Sequence, residues 1–175
     1  MAGTIVLLMI RLIEPLAIFR WPLAAGLAAA AIDAIDVMIV DAIGSSALWD
    51  SRYAEIDKGL DTYYLAIEAL VAWRWTNPWA RWPAVALFAD RLLGAVAFEL
   101  TGLRWLLFAF PNLFENWWVY CLLVDRFWPQ LSPSSFRSVV APLLLLAIPK
   151  FAQEYALHIV QVHPWMFVRL RLFGY

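Results

Sequence analysis

Residues 23–43 decide the fold class, and they read LAAGLAAAAIDAIDVMIVDAI. Apart from three aspartates, every residue in this stretch is apolar or glycine. The stretch is long enough to cross a bilayer as an α-helix, which needs about 20 mostly apolar residues. In the whole chain of 175 residues, 64% are apolar and only 15% are charged. A soluble domain is usually about a quarter charged, so this composition is typical of a membrane protein.

Five further apolar stretches follow the same pattern, and together they predict an all-α bundle of about six transmembrane helices. The predicted spans are residues 4–19, 23–43, 56–75, 83–100, 103–127 and 139–162. A kink is expected at Pro111 in the fifth span, because proline interrupts helical hydrogen bonding. No long linker divides the chain, so residues 1–175 are expected to form a single transmembrane domain.

Net charge and aromatic content indicate the surroundings of the protein. The formal net charge is −1, which argues against a nucleic-acid partner. The chain has 11 Trp and 6 Tyr, residues that favour the headgroup level of a bilayer. We therefore expect an integral protein of a bacterial-type inner or plasma membrane, in contact with membrane lipids. The basic residues divide equally between the two sides, so the positive-inside rule does not set the orientation.

Charged side chains inside the predicted spans are the strongest functional signal. An ionised Asp, Lys or Arg near the bilayer centre costs about 2.5–3.5 kcal/mol on insertion scales. Such groups are therefore expected to face the bundle interior, where they pair, bind an ion or take up protons. Besides the four aspartates considered below, the candidates for this polar interior are Glu68, Asp90, Arg91, Glu115, Lys150, Glu154 and His158.

Lys150, Glu154 and His158 are spaced by four residues, so they are expected to line one face of the last helix. This stripe fits a proton relay or a site for a lipid headgroup. It fits equally a structural ion pair within the helix, with a hydrogen-bonded histidine beside it. The spacing does not choose between these interpretations.

Four aspartates form the sharpest pattern in the chain. Asp33 and Asp36 are three residues apart and share a face of the second predicted helix. Asp57 and Asp61 are four apart at the start of the third. A short loop joins these helices, so the four carboxylates are expected to converge. A divalent cation such as Mg²⁺ or Mn²⁺ would relieve their repulsion, and Mg²⁺ prefers oxygen ligands and substrate phosphates.

Other interpretations of these aspartates stay open. Asp57 and Asp61 also fit a wet helix cap, where acidic residues favour the positive end of the helix dipole. Asp33 and Asp36 also fit structural carboxyls that are protonated or paired with arginine.

The two pairs of aspartates resemble the signature of the CDP-alcohol phosphatidyltransferases. Asp33-Ala34-Ile35-Asp36 is similar to its DxxD half, and Asp57-Lys58-Gly59-Leu60-Asp61 is similar to its DxxxD half. Arg11 followed by Pro15 resembles an R…P pair near that family's first helix. The resemblance covers about residues 11–61. Val37, Val40-Asp41 and Tyr53 stand where the family has Gly, Ala-Arg and Gly.

The resemblance implies a fold of six transmembrane helices and a reaction that transfers a phosphatidyl group from a CDP-lipid to an alcohol, with release of CMP. It implies that Asp33, Asp36 and Asp57 are metal ligands. It implies that Asp61 is both a metal ligand and the catalytic base that activates the alcohol. The implied cofactor is Mg²⁺ or Mn²⁺.

Three functions fit these observations. The first is a membrane enzyme of lipid phosphoryl chemistry that uses the four aspartates. The second is a noncatalytic subunit of a larger membrane complex or of a homo-oligomer, whose aromatic residues supply a packing surface. The third is a small ion- or proton-coupled transporter or channel that depends on Glu68 or Glu154.

Overall fold

The computed structural model describes the backbone of residues 2–43 and 47–160 and the side chains of residues 5–33 and 59–160. Every regular element in these parts of the chain is a helix, so the predicted all-α class is confirmed. The α-helices are α1 (Ala2–Ile13), α2 (Pro22–Ile43), α3 (Ala47–Trp73), α4 (Pro78–Thr101), α5 (Trp105–Ala109), α6 (Leu113–Phe127) and α7 (Phe136–Glu154). Short 3₁₀ helices cover Glu14–Phe19 and Pro129–Leu131, and a π-turn covers Tyr155–Ile159.

The fifth predicted span is wrong as a single helix, because the chain divides there into α5 and α6. Pro111 lacks the N–H group that a continuous helix would need. Asn112 then starts α6 as its N-cap, since its side chain accepts a hydrogen bond from the Glu115 N–H at 3.4 Å. The expected kink is therefore a complete break, and the break places Asn112 and Glu115 at the start of a new helix.

The boundaries of the other predicted helices also differ. α3 begins at Ala47, before the predicted start of its span at residue 56. The first predicted span changes to a 3₁₀ helix at Glu14, directly before Pro15. The apolar stretches therefore predict that these helices exist but do not give their ends.

α4 has clear signals at both ends. Asn77 is its N-cap and accepts a hydrogen bond from the Trp79 N–H at 3.0 Å, with Pro78 at the first helical position. Gly102 ends the helix in the left-handed region, at φ 69°. The Asn77 side-chain amide also donates to the Pro133 carbonyl at 2.7 Å, which attaches the loop before α7 to the start of α4.

The core forms around α6. Phe114, Trp117, Trp118 and Cys121 follow helical spacing on its buried face, and each is at most 1% exposed. The Trp117 indole N–H donates to the Ala80 carbonyl of α4, and the Trp118 indole N–H donates to the Glu68 carbonyl of α3, both at 3.0 Å. These bonds satisfy the polar end of each ring and fix α6 against its neighbours.

α2 approaches α6 closely at Gly26. A Cβ atom on this residue would lie only 2.5 Å from the Trp118 ring. The missing side chain therefore lets the two helices pack at short range, as small residues do between helices in membranes.

Within the described residues, one helical stretch is long and apolar enough to cross a membrane, Phe136–Ile159. Only 6% of its most apolar window is buried, and Leu145 and Ile148 are each 71% exposed. The described apolar part of α2, Pro22–Asp33, is shorter than a span. The count of six transmembrane helices stays a prediction.

Candidate functional site

One guanidinium group joins three helices. Nη2 of Arg11 in α1 lies 2.6 Å from Oδ1 of Asp33 in α2 and 2.6 Å from Oδ1 of Asp61 in α3. The side chain of Arg11 is only 4% exposed, whereas those of Asp33 and Asp61 are 32% and 38% exposed. A buried cation with two half-open carboxylates is the result, and we call Asp33 and Asp61 the acid pair.

The location of Arg11 explains why these helices meet. Burying a charge is costly unless a group of opposite charge accompanies it, so α2 and α3 supply carboxylates to α1. The Tyr63 hydroxyl of α3 also donates to the Leu12 carbonyl of α1 at 3.1 Å. The two contacts hold α3 against α1 beside the acid pair.

Of the four predicted metal ligands, the structure brings Asp33 and Asp61 together. The side chains of Asp36 and Asp57 lie outside the described residues. Asp33 is paired with arginine, one of the alternatives that the sequence left open. Among the described side chains, no group of three or more His, Cys, Asp or Glu is placed to hold a metal ion. The roles of Asp61 as a metal ligand and base stay predictions.

A polar cleft of about 650 Å³ lies beside the acid pair, and both aspartates line it. Five of the seven predicted polar-interior residues also line this cleft, which therefore collects most of the ionisable groups that the sequence pointed to. Its ionisable lining includes Asp33, Asp61, Arg91, Glu115, Lys150, Glu154 and His158.

Glu154 is the centre of a second charged cluster. Its carboxylate lies 3.2 Å from Lys150 Nζ and 3.0 Å from His158 Nε2, so the prediction that these three residues share one face is confirmed. The same carboxylate accepts a hydrogen bond from the Asn112 N–H at 3.3 Å, and its side chain is 4% exposed. Glu154 thus joins α7 to the beginning of α6, next to Asn112, whose amide donates to Glu115 at 2.9 Å.

A second cleft, of about 430 Å³, is mostly apolar and adjoins the polar one. Asp61, Leu65, Arg91 and His158 line both clefts. The Arg91 guanidinium donates from Nη1 to the Phe110 carbonyl at 3.2 Å. This bond holds the arginine at the junction of the two clefts.

Glu68 and Asp90 lie apart from both clefts. Glu68 is fully buried, and neither of its carboxylate oxygens has a hydrogen-bond partner among the described residues. A Cβ atom at Gly26 would lie 3.1 Å from Glu68 Oε1, so the carboxyl group sits in the tight contact between α2 and its neighbours. A carboxylate ion without partners in such surroundings is strongly disfavoured, so the group is expected to be neutral.

Arg11 is the residue whose importance the sequence least revealed. It lies inside the first predicted helix and belongs to the R…P pair. The free-energy cost of burying Arg11 is the sequence signal for its importance, because an arginine inside an apolar helix must find a carboxylate on another element. The sequence alone does not show which carboxylate that is.

Compared with known proteins, the chain matches no protein family, no curated protein and no solved structure.

Proposed function

We propose that the protein is an integral membrane enzyme that carries out phosphoryl chemistry on a lipid, with carboxylates of α2 and α3 holding a divalent cation. One observation carries this proposal. Asp33 and Asp61 come from different helices, yet both contact a single positive group at the edge of a large polar cleft. Two converging carboxylates beside room for a substrate are what metal-assisted phosphoryl transfer needs.

The acid pair suits the chemistry of Mg²⁺ or Mn²⁺. Mg²⁺ commonly binds through one or two carboxylates and completes its shell with water and substrate phosphates. Asp33 and Asp61 would hold it, and Asp36 and Asp57 are the other ligands expected from the resemblance. When bound, such an ion neutralises charge on the phosphoryl group. Arg11 keeps the two carboxylates close together, since its charge offsets their repulsion.

The remaining parts of the proposal follow the sequence. A CDP-lipid would donate its phosphatidyl group to an alcohol, Asp61 would accept the proton of that alcohol, and CMP would leave. A bundle of six spans in a bacterial-type inner membrane would give the cleft access to such lipids. The exposed apolar side chains of α7 support its contact with lipid, because Leu144, Leu145 and Ile148 are 63%, 71% and 71% exposed.

The thermal unfolding midpoint of the purified protein in detergent tests the metal site. A ligand that binds only the folded state stabilises it by about 2.7 kcal/mol at a hundredfold excess over its Kd. We expect Mn²⁺ to raise the midpoint of the wild type and of Asp90→Asn, and CDP-lipid to raise it further. In Asp61→Asn the shift caused by the metal should disappear.

Asp90 is a suitable control, because it is another aspartate in the helical bundle that lies outside both clefts. Only the shift caused by the ligand is compared, since Asp61→Asn also removes a partner of Arg11. An equal shift in all three proteins, or none in the wild type, would contradict the proposed metal site. The reaction itself is then tested by measuring the release of CMP from CDP-lipid by the wild-type protein.

A second candidate is a proton-coupled transporter, and Glu68 is the observation that favours it. A fully buried carboxyl group without hydrogen-bond partners is costly to ionise, and such groups in membranes commonly carry protons. The test is proton flux into liposomes that contain the purified protein. Flux that is lost in Glu68→Gln but kept in Asp90→Asn would support transport, and flux equal to that of empty liposomes would exclude it.

A further inference from the structure

The two adjoining clefts differ in the side chains that line them. Ionisable side chains of α2, α3, α4, α6 and α7 line the polar cleft. Apart from Glu99 and Thr62, the side chains found only in the other cleft are apolar, and they are Phe88, Leu92, Ala95, Phe98 and Leu107. A single molecule that occupies both must be polar at one end and apolar at the other. Amphipathic lipids have this construction.

Arg91 supplies a positive charge where the clefts meet. Among the described residues it forms no ion pair with a carboxylate, and its hydrogen bond is to a backbone carbonyl. A guanidinium has five N–H donors, so several are left for a ligand. The planar fork of arginine suits phosphate oxygens, which it can bind in pairs.

The neighbouring acidic groups do not leave this junction strongly negative. Asp61 is paired with Arg11, and Glu154 is paired with Lys150 and lies 3.0 Å from His158 Nε2. His158 itself lines both clefts beside Arg91. An anionic group at the junction therefore meets Arg91 and His158. Glu115 also lines the polar cleft and Glu99 the apolar one, so a phosphate must lie closer to Arg91 than to these two carboxylates.

The apolar cleft reaches the outer surface of the bundle. Leu92 lines it and is 38% exposed, and on the same helix Leu93, Val96 and Leu100 are 64%, 49% and 81% exposed. Leu92 and Glu99 are exposed residues of its lining, so the cleft opens on this outer face of α4.

We propose that the joined clefts bind a lipid bearing a phosphate group, with the phosphate at Arg91 and His158 and an acyl chain in the apolar cleft. The headgroup then extends into the polar cleft towards the acid pair. This position of the headgroup rests on the proposed phosphoryl chemistry. It assigns the phosphate and headgroup to the polar cleft and the acyl chain to the apolar one. The binding itself requires neither a metal nor a reaction.

Native mass spectrometry of the full chain in detergent tests this binding with three matched probes. Palmitoyl lysophosphatidic acid has one chain and one phosphate, palmitoylglycerol lacks the phosphate, and glycerol 3-phosphate lacks the chain. We expect the first to bind at least about tenfold more tightly than either of the others, because a charged hydrogen bond contributes about tenfold or more and burial of several CH₂ groups contributes more than that. Equal binding of palmitoylglycerol, or of glycerol 3-phosphate, would overturn the proposal.

Variants locate the site. Arg91→Gln is expected to weaken the binding of lysophosphatidic acid by about tenfold or more and to leave that of palmitoylglycerol unchanged. Arg81→Gln is the matched control, since Arg81 is also on α4 and also donates to a backbone carbonyl but lines neither cleft. Ala95→Phe keeps every charge and fills the apolar cleft, so it should weaken both chain-bearing probes. Wild-type affinity in either Arg91→Gln or Ala95→Phe would overturn the assignment.

The outcomes separate this inference from the proposed enzyme. Binding that depends on Arg91, in a protein that shows no response to Mn²⁺, would support the lipid site and remove the metal-dependent chemistry. A response to Mn²⁺ that needs Asp61, together with lipid binding that ignores Arg91, would overturn the lipid site alone. Thermal midpoints of all variants without ligand show whether each is folded.

Discussion

The two charged clusters of this protein are built in opposite ways. Arg11 is a buried cation whose partners, Asp33 and Asp61, lie 22 and 50 residues away on other helices. Glu154 is a buried acidic group whose two partners, Lys150 and His158, lie four residues to either side on its own chain segment. Both central groups are 4% exposed. The first cluster determines how helices meet, and the second determines how one helical face is presented to a cleft that the two clusters share.

The two clusters also differ in their balance of acidic and basic groups. Among the described side chains, two carboxylates share the guanidinium of Arg11, so acidic groups outnumber basic ones there, which favours a further cation. One carboxylate, one ammonium group and a histidine leave the Glu154 cluster neutral or positive, which tolerates an anion. A polar cleft between them can therefore accommodate a ligand that carries both charges, such as a metal ion with a phosphate.

Arg11→Gln is expected to have the largest effect on stability. It removes a buried charge together with two ion pairs that connect α1 to α2 and α3, so we expect a loss of about 3–5 kcal/mol in the free energy of unfolding. Unfolding in a denaturing detergent measures this loss. Arg81→Gln is the control and should cost less than about 1 kcal/mol. A cost for Arg11→Gln as small as that of the control would show that the cluster does not hold the helices together.

The same variant tests whether the acid pair can bind a divalent cation. If the two aspartates suit a divalent cation, Mn²⁺ should restore more stability to Arg11→Gln than it adds to the wild type, because the ion can replace the missing charge. The thermal midpoint with and without Mn²⁺ gives both values. A smaller response in the variant would mean that Arg11 helps the metal rather than substitutes for it.

Glu154→Gln should have an intermediate effect. The amide can still accept from the Asn112 N–H, but Lys150, which is 12% exposed, loses its charged partner. We expect a loss of about 1–3 kcal/mol in the free energy of unfolding. A double-mutant cycle with Lys150→Met then isolates the contribution of that pair. A coupling energy near zero would show that Glu154 acts mainly through the start of α6.

Gly26→Ala tests the packing that lies between the clusters. The added methyl group would meet the Trp118 ring at 2.5 Å, so overpacking should cost about 1–3 kcal/mol. Gly59→Ala is the matched control, because a Cβ atom there has nothing within 4 Å. Alanine in a helix is favoured over glycine by about 0.5–1 kcal/mol, so this control should be neutral or slightly stabilising. Equal effects of the two changes would contradict the close approach of α2 to α6.

Glu68→Gln should have the smallest effect on stability. If the buried carboxyl group is neutral, the amide has nearly the same shape and charge, and we expect a change below about 1 kcal/mol. Glu68→Asp provides the contrast, because it shortens the side chain and leaves a void. A large loss in Glu68→Gln would mean that Glu68 is ionised and has a partner that the amide cannot keep.

The sequence predicted the two clusters to different degrees, for a physical reason. Spacing by four along a helix is a local property, so the shared face of Lys150, Glu154 and His158 was predictable. The convergence of Asp33 with Asp61 was inferred from a short connection between helices. That Arg11 lies between them depends on the packing of α1, which local spacing does not encode.

The clefts could not be predicted in this way. In a chain with 64% apolar residues, Ala95 and Phe98 look like any other part of α4, and only their position beside Arg91 gives them a role. The division of the fifth predicted span is a second feature that the local sequence does not determine. Pro111 indicated a disturbance, but whether a helix bends or stops there is decided by contacts such as that between Asn112 and Glu154.

At the π-turn of Tyr155–Ile159, the number of residues matters as much as the identity of their side chains. Such a turn contains one residue more than an α-helical turn, and it commonly marks a single-residue insertion. Because the wider turn takes up that residue, deleting Ala156 would restore a regular helical turn and leave the flanking residues on their original faces. The spacing of four between Glu154 and His158 would then become three, although neither of these residues changes.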